Sequence, residues 1–222
     1  MLTLSLYNYA EMLALIASII FYKNLFKTPF LILIPYLLMT VAAELTGNYL
    51  GIHHRYKENV NLFNITTVIE FVIFYFLFYK NINSAVLKNI ILYAMPLYVV
   101  LAAVNQLFIQ GFNNFHTYTM LVGTVFIIVF VFFYFYEAFS DKEPLSLPKE
   151  PMFWISIGLF LFYLGDFTYN LMQPYFIKNH MQKESFHLFH IINNNLIIFE
   201  YICFSIAIFV CSNNRLASKL QS

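Results

Sequence analysis

The sequence has little charge, little glycine and almost no cysteine. Only 10% of its 222 residues are Asp, Glu, Lys or Arg, whereas soluble domains average about 25%. A water-soluble fold of this size could not cover its surface with so few charges. The net charge is only +1, which indicates no nucleic-acid partner and no polybasic tether to a membrane surface.

Two further absences exclude particular chemistries. Cys203 and Cys211 are the only cysteines, and on one helix eight residues would separate them by about 12 Å. A disulfide needs Cα atoms within about 7 Å, so we expect no bridge between them. No lysine lies between Lys183 and Lys219. A retinal Schiff base in the last span is therefore excluded, and with it a rhodopsin-type pigment.

Apolar residues make up 61% of the chain and extend over its whole length. A membrane-spanning helix needs about 20 mostly apolar residues. The first apolar segment has no basic region before it and no A-x-A-like cleavage site, so we interpret it as a span rather than a signal peptide. We predict an all-α integral membrane bundle of seven transmembrane helices, forming one domain over residues 1–222 without a soluble domain. The predicted spans are roughly 3–22, 30–51, 60–79, 86–109, 117–139, 151–176 and 186–211.

The basic residues near the span ends are distributed unequally. One side collects Lys23, Lys27, Lys80, Lys88, Lys142, Lys149, Arg215 and Lys219, and the other collects Arg55, Lys57, Lys178 and Lys183. Cytoplasmic loops carry the excess of Lys and Arg in most membrane proteins. The sequence therefore predicts that the N-terminus is outside and the C-terminus is cytoplasmic.

Several ionisable and amide side chains lie within the predicted spans. Acids are costly there, and hydrocarbon offers them no partner, so they must face one another or enclosed water. Helical periodicity places Glu44 with Asn48 on one face, and Asp166 with Asn170 on another. Most of these groups fall in the outer half of the bundle, which predicts an outward-facing pocket with carboxyl groups at its floor. The predicted ligand-pocket residues are Glu11, Glu44, Asn48, Asn64, Glu70, Asp166, Asn170, His190, Asn194 and Glu200.

Intramembrane zinc hydrolysis is an alternative prediction, with His187, His190 and Asp166 as metal ligands. The elements Glu44-x3-Asn48-x4-His53-His54, Asp166 and His187-x2-His190 resemble the adiponectin-receptor and alkaline-ceramidase superfamily of seven-helix zinc hydrolases. The spacings differ from that family, and the late pair is HxxH rather than HxxxH. A third alternative is a proton- or cation-coupled transporter, because acids at mid-depth fit it. No span, however, has the Gly/Pro break typical of transporter helices.

Three other runs carry a second resemblance. They are Asn61-Leu-Phe-Asn64-x5-Glu70-Phe, Phe153-Trp154-Ile-x2-Gly158-x6-Gly165-x4-Asn170, and Leu188-Phe-His190-x3-Asn194. They resemble small seven-helix membrane proteins of Bacteroidetes, in which similar modules occur alone or within sensor kinases. The resemblance implies a sensor in a bacterial inner membrane, and it names no ligand.

Our leading prediction is a ligand-binding or sensory membrane module without catalytic residues or a resident cofactor. Its acids would orient a cationic or hydrogen-bonding small ligand between aromatic walls. The predicted partners are the lipid bilayer, that ligand, and a separate cytoplasmic or membrane signalling protein.

Overall fold

The computed structural model describes residues 5–140 and 146–220, and over these residues the chain is all-helical without a strand. This confirms the predicted all-α class. Seven helices longer than ten residues build the fold. They are α1 (Leu6–Ile20), α2 (Leu33–Ile52), α3 (Tyr56–Asn81), α4 (Ala85–Val104), α5 (Thr117–Ser140), α6 (Pro151–Lys178) and α7 (Gln182–Leu220).

Six of these helices, α2 to α7, are long and apolar enough to cross a membrane. Their apolar stretches run over 22 to 34 residues, with mean hydropathy between 1.3 and 2.3. The chain therefore has the helices of a multi-pass membrane protein, as predicted. Helix α1 is apolar as well but has only 15 residues. It ends at Ile20, and after Phe21 a short helical turn follows, Tyr22–Leu25.

The helix ends differ from the predicted spans mainly at α7. The predicted span covers 186–211, whereas the helix has 39 residues and runs from Gln182 to Leu220. The reversal between α6 and α7 takes only residues 179–181, where His180 adopts a left-handed φ of 57°. Part of the predicted break between α5 and α6, residues 141–145, lies outside the described residues.

Aromatic rings form the centre of the bundle. Phe71 on α3 is fully buried, with its ring centroid 5.3 Å from that of Tyr98 on α4 and 5.1 Å from that of Tyr163 on α6. Tyr75 donates a hydrogen bond from its hydroxyl to the Gly123 carbonyl oxygen on α5, 3.1 Å away. Such ring pairs stabilise a fold by more than the burial of their apolar area alone. They fix the spacing of the central helices around α3.

Helices α6 and α7 make the most extensive contact in the bundle. At Gly158 on α6, a Cβ atom would lie 3.0 Å from Cys203 Cβ and 3.4 Å from the Cα and carbonyl oxygen of Glu200. At Gly165, two turns later, a Cβ atom would meet the side chain of Leu196. Small residues of this kind let helix backbones approach closely within a membrane, where van der Waals packing drives association.

Polar contacts at the end opposite the N-terminus tie neighbouring helices together. The Glu137 carboxylate on α5 accepts hydrogen bonds from the backbone N–H groups of Asn83 and Ser84, at 2.7 and 2.6 Å, just before α4 begins. The Asn24 amide after α1 donates to the Ser212 hydroxyl on α7 at 2.7 Å. These bonds satisfy backbone and side-chain groups where the apolar spans end.

Candidate functional site

A cavity of about 970 Å³ opens among the helices at one end of the bundle. We call it the wide chamber. Its walls come from the N-terminal parts of α1, α3, α5 and α7 and from the C-terminal parts of α2 and α6. Consecutive helices therefore alternate in direction around it. Its polar lining includes Tyr7, Glu44, Asn48, Asn59, Thr67, Thr117, Asp166, Tyr169, Asn170 and Asn193.

A second cavity of about 120 Å³, which we call the narrow chamber, adjoins the first. Glu44, Phe63, Thr67 and Phe162 line both cavities. The narrow chamber adds two carboxyl groups, those of Glu70 on α3 and Glu200 on α7, and the ring of Tyr201. Three helices thus bring carboxyl groups to one small space in the middle of the bundle.

Glu70 and Asp166 each accept a short hydrogen bond that holds the carboxyl group in place. The hydroxyl of Tyr163, a fully buried residue of α6, donates to Glu70 Oε1 at 2.8 Å. The Asn170 amide donates to Asp166 Oδ2 and to the Asp166 carbonyl oxygen, both at 2.9 Å. This confirms that Asp166 and Asn170, four residues apart, share one face of α6. Both then line the wide chamber.

Glu200 is different because its burial is not matched by partners. The residue is 3% exposed, and within the described structure its Oε1 has no hydrogen-bond partner. An unpartnered carboxyl group is costly in a low-dielectric interior. The neighbouring 120 Å³ cavity has room for a few water molecules, each of which takes about 30 Å³. Glu200 thus requires a proton, water or a ligand group beside it.

The charged residues that line the two chambers are all acidic. No Lys, Arg or His occurs among the described residues that line either chamber. Glu11 on α1 is also buried, in a long contact of 3.4 Å with the Asn8 amide, and it interacts electrostatically with Glu44, Glu70 and Glu200. The acids of five helices, α1, α2, α3, α6 and α7, therefore form one cluster without a basic side chain in the chamber walls.

The predicted pocket residues divide into four groups. Glu44, Asn48, Asp166 and Asn170 line the wide chamber, and Glu70 and Glu200 line the narrow one. Glu11 lies buried beside them, and Asn64, His190 and Asn194 line neither chamber.

On α7 the structure places Asn193, not Asn194, in the chamber wall, and its Oδ1 is buried without a partner among the described residues. The chamber face of α7 follows a four-residue step through Phe189, Asn193 and Ile197. The neighbouring positions of α7, such as Leu188 and Ile192, are apolar as well, so no sequence signal distinguished this face.

Asn64 has a structural role instead. Its Nδ2 donates to the Asn114 carbonyl oxygen and its Oδ1 accepts from the backbone N–H of His116, both at 3.0 Å. The side chain is 4% exposed. It therefore anchors the α4–α5 connection onto α3. Asn64 was predicted to line the ligand pocket, whereas its hydrogen-bond partners in the structure are backbone groups of this connection.

The predicted metal ligands do not converge. His187 and His190 are exposed on α7, whereas Asp166 is buried at the wide chamber. The His190 ring packs edge-on against Phe189, with centroids 6.0 Å apart. Across the residues that the structure describes, no group of three or more His, Cys, Asp or Glu side chains could hold a metal ion.

The fold and the chambers define a helical membrane protein with an acidic, aromatic-walled cavity at one end. Compared with protein families, curated proteins and solved structures, the chain matches none of them. The resemblances given above therefore stay predictions, and the function has to be argued from the chambers.

Proposed function

We propose that the chain is a membrane-embedded ligand-binding or sensory module that crosses a bacterial inner membrane seven times. In this proposal the N-terminus is outside and the wide chamber opens to the outside. The observation that best supports the proposal is the size of the wide chamber. At about 970 Å³ it is within the range of small-molecule pockets, about 300–1,000 Å³. It also combines aromatic residues with convergent polar side chains, both of which are typical of such sites.

Helix α1 supports a seventh crossing although it is short. Its first turn places Tyr7 in the wide chamber, and beyond its far end Asn24 contacts Ser212 near the C-terminal end of α7. Residues 6–25 together would extend about 30 Å if helical throughout, which is the thickness of the hydrocarbon core. Helix α1 and the following turn thus reach from one end of the bundle to the other.

The basic residues support the orientation. The loops and helix ends far from the wide chamber carry Lys23, Lys27, Lys80, Lys88, Lys149 and Arg215, whereas Arg55, Lys57, Lys178 and Lys183 lie at the chamber end. The larger number belongs on the cytoplasmic side. With that assignment, a ligand from outside reaches the chamber directly. A signalling partner would meet the opposite end.

Cysteine accessibility tests the proposal. In a background with Cys203→Ala and Cys211→Ala, Asn48→Cys places a thiol in the wide chamber. We expect it to react with a membrane-impermeant thiol reagent added to intact spheroplasts. Leu38→Cys is the matched control on the same helix, because Leu38 is 58% exposed on the apolar outer face of α2. It should stay unreactive.

Two outcomes would count against the proposal. Reaction of Asn48→Cys only in inverted vesicles would reverse the orientation. No reaction from either side, with the protein folded, would mean that water does not enter the chamber. Thr117→Cys, on a different helix of the same wall, repeats the measurement in case Asn48→Cys does not fold.

Proton- or cation-coupled transport is the second candidate, and the narrow chamber favours it. Glu70 and Glu200 extend the polar path from the wide chamber toward the centre of the bundle. Membrane acids at this depth commonly carry protons or ions. If purified protein in liposomes moved protons under an imposed gradient, and Glu70→Gln abolished the movement, transport would replace sensing. No arrangement within the described residues favours the intramembrane zinc hydrolase, whose test is metal analysis of purified protein.

A further inference from the structure

The wide chamber combines two kinds of wall. Two acidic residues line it from different helices, Glu44 from α2 and Asp166 from α6. Six aromatic residues also line it, namely Tyr7, Phe63, Phe115, Phe162, Tyr169 and Phe189. Few ligands interact with both carboxyl groups and aromatic rings, so the combination narrows the chemical class of the ligand.

The acidic residues of the chamber favour a ligand that carries a positive charge. The described lining includes no basic side chain, and Glu200 in the adjoining narrow chamber is buried with an unpartnered oxygen. Buried carboxylates in a membrane protein are stabilised when a cation or a proton neutralises them. A ligand that brings its own positive charge would therefore gain from this cavity, and an anion would be repelled.

The aromatic rings decide which kind of cation fits. A ring face attracts an ammonium group within about 6 Å of its centroid, and aromatic cages recognise quaternary ammonium ligands in this way. An alkaline-earth ion instead needs six to eight converging oxygen ligands. The described residues contain no group of three acids that could hold a metal ion. A cavity of about 970 Å³ also holds a molecule rather than a bare ion.

We propose that the wide chamber binds an organic cation, with its ammonium group between Glu44 and Asp166 and against the rings of Phe63 and Phe162. Asn48 and Asn193 are the amides placed to hydrogen-bond the rest of the ligand. The inference rests on the proposed ligand-binding function and specifies the ligand class for that same cavity.

Charge selectivity in the chamber tests the proposal without knowing the natural ligand. The Asn48→Cys thiol should prefer a cationic methanethiosulfonate over an anionic one of similar size by about tenfold or more beyond the preference that free cysteine shows for the same two reagents. Asp166→Asn in the same background should reduce that preference. A preference no larger than that of free cysteine would overturn the proposal. It would still leave the chamber water-accessible, so the ligand-binding function would stand.

Binding of ammonium probes supplies the second arm. Choline and benzyltrimethylammonium are titrated into the purified full-length protein by calorimetry, each beside a neutral isostere in which carbon replaces the ammonium nitrogen. We expect at least one ammonium probe to bind about tenfold or more tightly than its isostere, and Asp166→Asn or Glu44→Gln to remove that difference. Glu58→Gln is the control, because Glu58 is exposed and paired with Arg55 outside the chamber.

Two binding results would overturn the inference. One is isosteres that bind as tightly as their ammonium probes, and the other is no probe binding to folded protein. If Asn48→Cys were also unreactive from both sides, the ligand-binding function itself would fail. The two arms together thus separate an incorrect ligand class from an incorrect site.

Discussion

The contact between α6 and α7 at Gly158 gives the sharpest test of the fold. In Gly158→Ala, the added Cβ atom would lie 3.0 Å from Cys203 Cβ and 3.4 Å from the Cα and carbonyl oxygen of Glu200. None of these atoms can rotate away, because two belong to the backbone and the third is the first atom of a side chain. The substitution therefore pushes α7 away from α6 at the floor of the narrow chamber.

The expected change in unfolding free energy for Gly158→Ala combines two opposing effects. Alanine in place of glycine within a helix gains about 1 kcal/mol. Inserting a methyl group into a closely packed contact costs about 1–3 kcal/mol. Gly51→Ala is the matched control, because a Cβ atom there would have no atom within 4 Å. The difference in unfolding free energy between the two alanine variants should be about 1–3 kcal/mol, with Gly158→Ala the less stable.

The assay is unfolding of the purified protein in mixed micelles, titrated with a denaturing detergent and followed by far-UV circular dichroism. In a background with Cys203→Gly, the Gly158→Ala substitution should cost less than it does in the natural protein, because the nearest atom is then missing and only the contact with Glu200 remains. If Gly158→Ala were stabilised as much as Gly51→Ala, the close approach of α6 and α7 would be refuted.

Three further predictions concern single polar groups. Asn64→Leu leaves the buried N–H of His116 and the partly buried carbonyl of Asn114 without their partner, and should cost about 1–3 kcal/mol and speed proteolysis of the α4–α5 connection. An unchanged cleavage rate would contradict the anchoring role. Glu137→Ala removes both charge-assisted bonds before α4, and should lower the unfolding free energy by about 1.5–3 kcal/mol. Burial raises the pKa of Glu150 above its ordinary 4.5, so ionising it costs stability as pH rises. In melting curves the Tm of Glu150→Gln should be higher than that of the natural protein at pH 7 and equal to it at pH 4.

Much of the helical framework could be predicted from apolar runs, because each helix must bury its backbone polar groups within hydrocarbon. The length of α7 could not. Hydropathy marks the apolar part of a helix, and the polar residues from Asn213 onward continue the same helix beyond it. Helix α1 shows the reverse case, since an apolar segment predicted over 3–22 has its helix interrupted at Phe21.

The acids of the site were predictable for a similar reason. Hydrocarbon offers carboxyl groups no polar partner, so they have to face the interior of the bundle. Glu44, Glu70, Asp166 and Glu200 all reached the chambers. The amides were less predictable. A rotation of about 100° per residue separates neighbouring positions on a helix, so the packing of α7 alone decides that Asn193 rather than its neighbour enters the wall.

The length of α7 makes it a mechanical lever. It carries Asn193 and Glu200 at the chambers and continues to Leu220 at the other end of the molecule. The twenty residues beyond Glu200 extend about 30 Å, so a tilt of about 5° at that point would swing the last turn sideways by about 2.6 Å. Under the proposed function, ligand binding beside Asn193 would then displace the far end of α7 as a rigid body, with no change in secondary structure.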